Sequence, residues 1–100
     1  MKLGLRISPA AEDEVEQAKE YYASESPGLD MDLAESLDYT FARIVETPLA
    51  FPVVFGSEVR RALINRFPFS IFYAVRKDHI WVYSIFHHSR NPLVWRGRVG

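Results

Sequence analysis

The residues best suited to chemistry cluster in "SIFHHSRNP", Ser84 to Pro92. Two histidines, a serine and an arginine follow a short apolar run, and a proline ends it. An imidazole titrates near neutral pH and can serve as a general base or acid. A guanidinium presents a planar fork to phosphate or carboxylate. His87 and His88 are therefore candidate acid/base groups, and Arg90 a candidate anion clamp. If the pair sits on a strand, its side chains point to opposite faces and cannot readily share a metal. No carboxylate stands nearby at ligand spacing, so neither metal nor cofactor is expected. Ser89 follows His88, but no glycine-rich elbow surrounds it and no acid is close in sequence, a poor signal for a nucleophilic triad. The five glycines are scattered singly and make no phosphate loop. The bland alternative is that both histidines satisfy backbone groups at a strand end.

The arginines form a second constellation. On a strand, Arg60 and Arg66 share a face with Ala62 and Ile64, while Arg61 shares the other with Val59, Leu63 and Asn65. Arg90, Arg96 and Arg98 come later, and Tyr73, Trp81, Tyr83 and Trp95 add aromatic groups. Arginine mixed with aromatics is the composition of a nucleic-acid surface or a protein hot spot. The candidate contact surface is Arg60, Arg61, Arg66, Tyr73, Arg90, Trp95 and Arg96, with core packing as the alternative for each aromatic.

Charge is divided unevenly along the chain. Residues 1–57 carry eleven acidic and four basic side chains, a net of -7, and residues 58–100 carry two and eight, a net of +6. All of those eight but Lys77 are arginines. The overall charge of -1 speaks against binding duplex DNA as the main task. A length of 100 residues fits one domain spanning the chain, and 48% hydrophobic content fits a packed core. The chain has no cysteine, which excludes disulfides and thiolate metal sites and suits a reducing cytoplasm. "MKLGLRISPAAEDE" meets acidic residues too early for a signal peptide, and no apolar window is long enough to span a membrane.

The positioning elements follow from periodicity. "KLGLRIS" alternates and reads as a strand. Ser8, Pro9 and the acidic Glu12, Asp13 and Glu14 start a helix, whose apolar face is Ala11, Val15, Ala18 and Tyr22 and which ends near Ser24. After Pro27-Gly28 a second helix carries Leu29, Leu33, Leu37, Phe41 and Ile44 and ends before Pro48, so the two form a hairpin. "PLAFPVVFGSE" reads as a loop. "EVRRALINRF", "FSIFYAVR" and "HIWVYSIFH" read as three antiparallel strands, and "VWRGR" as a short last strand. In the third, Ile80, Val82 and Phe86 are expected on one face, with Trp81, Tyr83 and Ile85 on the other. Both faces being apolar marks a central strand, whose second face needs a cover. The order β-α-α-β-β-β(-β) is a two-layer α+β fold, a helical hairpin on one face of a mainly antiparallel sheet.

Four segments carry a family likeness: "SPAAEDEVEQAKEYYA", "PGLDMDLAESLDYTFARIVETPLAFP", "VRRALINRFPFSIFYAV" and "IWVYSIFHHSRNPLVWRGR". They resemble the RelE/ParE toxin family of bacterial type II toxin–antitoxin (plasmid stabilisation) systems, and the last two resemble its ParE-like side. The resemblance implies a cytoplasmic toxin wrapped by the C-terminal segment of a cognate antitoxin, with self-association left open. It also implies one of two modes of action. ParE-like members inhibit DNA gyrase without an established nuclease activity. RelE-like members cut messenger RNA on the ribosome, using basic residues and often a tyrosine or histidine. In the nucleases an arginine typically stands where this chain has Ser70, and Trp95 lies near the place of their C-terminal tyrosine. The arginine after the last long strand matches Arg90. The resemblance thus favours a gyrase-binding toxin. The alternatives are a ribosome-dependent endoribonuclease using Arg90, Arg60 or Arg61 with His87 or His88, and a member that only binds its antitoxin.

Overall fold

The computed structural model describes residues 2–99. Its elements are β1 (Gly4–Ile7), α1 (Pro9–Glu25), α2 (Leu29–Glu46), β2 (Val53–Phe55), β3 (Val59–Leu63), β4 (Phe69–Val75), β5 (His79–His87) and α3 (Leu93–Arg96). The strands form one sheet in the order β1-β5-β4-β3-β2. Only β1 and β5 pair in parallel; the other three pairings are antiparallel. Helices α1 and α2 lie together on one face, so the fold is the two-layer α+β arrangement the periodicity implies.

The hairpin is set by local chemistry. The Ser8 hydroxyl accepts the Ala11 N–H at 3.1 Å and so caps α1, with Pro9 in the first turn. Gly28 begins α2 at φ 90°, a left-handed conformation that glycine adopts without a Cβ penalty. The apolar stripes then bury against the sheet. Ala11, Ala18, Leu33, Leu37 and Ile44 share one core with Ala62, Ile71, Tyr73, Ile80, Val82 and Ile85. A second, smaller core lies on the opposite face, where Val59, Phe72, Ala74, Tyr83 and Phe86 surround Trp95.

Three expectations are corrected. The segment read as a loop contains β2, because Val53 to Phe55 pair with β3 beyond the prolines. "VWRGR" is not a strand. Asn91 Oδ1 accepts the Leu93 N–H at 3.0 Å and Pro92 sits at φ -62°, so an Asn-Pro turn starts the helical turn α3 instead. Third, Ile85 faces the helices and Phe86 the opposite core, the reverse of strict alternation. The cause is a β-bulge. Phe72 pairs with Ser84 but Tyr73 pairs with Val82, leaving Tyr83 as an extra residue on β5. The second face is also less bare than its sequence suggests, because the chain's own Trp95 covers it.

Candidate functional site

The site is built where β1 stops. β1 pairs with β5 only as far as Ile7 opposite Val82, which leaves the next backbone groups of β5 without a strand neighbour on that side. Side chains fill the gap. The Tyr83 carbonyl accepts from the Ser8 hydroxyl at 3.1 Å and from Arg98 at 3.2 Å. Glu14 Oε1 accepts from the Ile85 N–H at 3.1 Å and from the Ser84 hydroxyl at 2.9 Å. Arg98 donates to the same carboxylate at 3.1 Å, and Arg90 approaches it to 3.7 Å. Glu14 is thus a buried anion joining α1, the bulge of β5 and the C-terminal segment. Its place among the first acidic residues of α1 reads as an ordinary favourable interaction with the helix dipole. Only the spatial meeting with Ser84, Ile85 and Arg98, some seventy to eighty-four residues away, gives it this role.

Beyond the bulge, β5 delivers its histidines to opposite faces. His87 lies edge-on to Phe69 on the helix side, and its Nδ1 contacts Ser89 Oγ at 2.7 Å. With Glu14, Gln17, Tyr21 and Tyr22 it lines a groove beside α1. His88 turns to the other face, where its Nε2 and Ser70 Oγ lie 2.9 Å apart. Ser70 is therefore the partner of His88.

His88 and Ser70 sit in a cleft of about 360 Å³ that is also lined by Arg61, Arg90, Arg96, Trp95, Phe72 and Phe86. Two of the three guanidiniums lie over aromatic rings. Arg90 is 5.4 Å from the centroid of Phe86, and Arg96 is 5.1 Å from Phe55 and 5.6 Å from Trp95. Such cation–π contacts hold the cations against the rings while leaving N–H groups for other partners. Trp95 is itself stacked on Phe72 at 3.9 Å and only 1% exposed, so it is a wall of the cleft and not a surface contact residue. Among the described residues no group of three or more histidines and carboxylates is close enough to hold a metal ion.

The remaining predicted contact residues do not join the cleft: β3 and β4 point Arg60 and Tyr73 to the helix side, and Arg66 lies in the turn between these strands. Arg60 donates to the carbonyls of Leu49 and Phe51 at 3.1 and 2.6 Å, pinning the connection from α2 to β2. Tyr73 is fully buried and donates to the Pro48 carbonyl at 2.6 Å. Arg66, in the turn after β3 at φ 72°, pairs with Asp32 of α2 at 3.5 Å. Arg60 lies on the helix-covered face of β3, whereas Arg66 falls beyond the strand, in the turn, where strand periodicity no longer sets its direction.

Burial pushes the Tyr73 phenol up from 10.0 to about 12, against a smaller opposing effect of the Arg60 guanidinium. The fold therefore favours the neutral phenol. The stabilisation is complete below the ordinary value and fades as pH rises between 10.0 and about 12, where the unfolded chain has lost the proton and the folded chain keeps it. Urea midpoints measured across that window should fall with pH. Tyr73→Phe should flatten that part of the profile and cost about 1 kcal/mol at neutral pH through the lost hydrogen bond.

A helical hairpin on one face of a five-stranded sheet, with an arginine-lined cleft on the other, defines a small two-layer α+β protein. The chain belongs to the ParE toxin family: residues 5–92 match the family described as the ParE toxin of the type II toxin-antitoxin system, parDE. A solved chain from "Chromosomal ParDE TA system from P. aeruginosa" has the same fold, at a TM-score of 0.75 and 17% identity, over 86% of this chain and 96% of that one. No curated protein matches the sequence. No described helix is long and apolar enough to cross a membrane.

Proposed function

We propose that the chain is the toxin of a type II pair that acts by binding its cellular target, DNA gyrase, and is neutralised by a cognate antitoxin. Membership of the ParE family supports the class of target. The observation that carries binding rather than cleavage is the composition of the cleft. Cutting RNA through its 2′-hydroxyl calls for a base and an acid placed on either side of the phosphate. The cleft lining holds one imidazole, that of His88, already engaged with Ser70, and neither a tyrosine nor a carboxylate. What it does hold, three guanidiniums, two of them over aromatic rings, suits a protein contact. The antitoxin would lie over the helical hairpin and sheet, where Tyr21, Met31, Tyr39 and Leu63 leave large apolar groups exposed.

Added to a gyrase supercoiling reaction, the purified chain should inhibit it. Arg61→Ala and Arg90→Ala should each raise the concentration needed by about tenfold or more, the effect of losing a hot-spot arginine. Unimpaired supercoiling at saturating protein contradicts the reading, as does full potency of both variants.

A further inference from the structure

We infer that the cleft between β3, β5 and α3 is a binding site for a phosphate group. The inference goes beyond the proposed target, since it concerns the isolated chain. Four cationic or titratable nitrogen groups, from Arg61, Arg90, Arg96 and His88, line the cleft, and no aspartate or glutamate does. The counter-charge behind it is one-sided. Glu14 reaches Arg90 at 3.7 Å, and among the described residues no carboxylate lies within ion-pair distance of Arg61 or Arg96. Like charges gathered in this way repel one another unless an anion sits among them.

Two of the donors are also held in place. Contact with the rings of Phe86, Phe55 and Trp95 holds Arg90 and Arg96 at the cleft. Two buried N–H groups of residues lining the cleft, Trp95 Nε1 and Arg96 Nε, have no acceptor. The number of forks selects the ligand. A single carboxylate has two oxygens and satisfies one guanidinium in bidentate fashion, whereas a phosphate offers oxygens in several directions to several arginines at once. About 360 Å³ leaves room for a substituent on the phosphate.

Nuclear magnetic resonance titration of the isolated chain at low ionic strength tests this. The probes are inorganic phosphate, a nucleoside 5′-monophosphate, a short single-stranded DNA oligonucleotide without terminal phosphate, and acetate at matched ionic strength. Saturable binding of at least one phosphate probe is expected, with shifts at His88 and Arg96 and a weaker response to acetate. Arg61→Gln and Arg96→Gln should each weaken binding tenfold or more, and Lys77→Gln, the same charge change in the exposed β4–β5 turn, should not. Arg61 is exposed, so its variant is expected to keep the fold. Tighter binding of the oligonucleotide than of the mononucleotide would identify a nucleic-acid backbone as the source of the phosphate, and the reverse order a free nucleotide; both support the site. Absence of saturable binding to every phosphate probe overturns it. So does acetate binding as tightly, or equal weakening by Lys77→Gln. Gyrase is absent throughout, so failure here leaves the target proposal to its own assay.

Discussion

Trp95→Ala should cost the fold about 3–5 kcal/mol, the range for deleting a buried large aromatic. The side chain is 1% exposed, stacks on Phe72 at 3.9 Å and meets Phe55 edge-on at 5.5 Å. It is the centre of the second core, which has far fewer members than the helix-side core, so its loss has little to collapse onto. The effect should reach function as well. Trp95 is a wall of the cleft and a support for Arg96, so the variant should lose target inhibition under conditions where it is still folded. Trp95→Phe should be markedly milder, because it keeps an aromatic ring and removes an indole N–H that has no acceptor. Urea denaturation of the three proteins checks this. An alanine variant within about 0.5 kcal/mol of the parent, the usual range for a surface change, would show that Trp95 is not the plug described.

Glu14→Ala should be comparably severe, at about 3–5 kcal/mol, the cost of breaking a buried ion pair from one side. The change leaves the Arg98 guanidinium without its carboxylate, and the Ser84 hydroxyl and the Ile85 N–H without their acceptor, at once. Glu14→Gln keeps an oxygen for Ser84 and Ile85 and should fall between. Replacing Glu14 and Arg98 together by leucine should recover much of the loss, since it removes the stranded charge along with its partner. A double-mutant cycle read by urea denaturation measures that coupling. Glu16, exposed on the same helix and paired only with Lys19 at 3.8 Å, is the comparison, and its alanine variant should shift stability by less than about 0.5 kcal/mol. Equal effects at Glu14 and Glu16 would contradict the buried role of Glu14.

Local patterning made the helices legible. Ser8-Pro9 and Pro27-Gly28 mark their starts, and the apolar spacing gives the buried faces. The strands could be read for the same reason, down to the faces of Arg60 and Arg61. What could not be read depends on partners distant in sequence. The bulge at Tyr83 leaves no mark in an unbroken apolar run, yet it exchanges the faces of Ile85 and Phe86. β2 is a strand only because β3 is beside it. The C-terminal turn has strand-like composition, but the Asn91 cap and the fit of Trp95 against Phe72 decide its path. In the site, splitting His87 from His88 needed only the two-residue period of a strand. The pairing of His88 with Ser70 needed the β4–β5 register, and the Glu14 hub needed the whole fold.

The central claim, that this ParE-family chain acts by gripping gyrase and not by cutting message, is tested most directly by two reactions run side by side with one preparation. Purified protein is added to a gyrase supercoiling assay and to a translation reaction followed by primer extension on the message. The prediction is inhibited supercoiling with the message intact. Normal supercoiling together with codon-phased cuts that vanish in His88→Ala and Arg90→Ala would contradict it and make the same cleft a ribonuclease site.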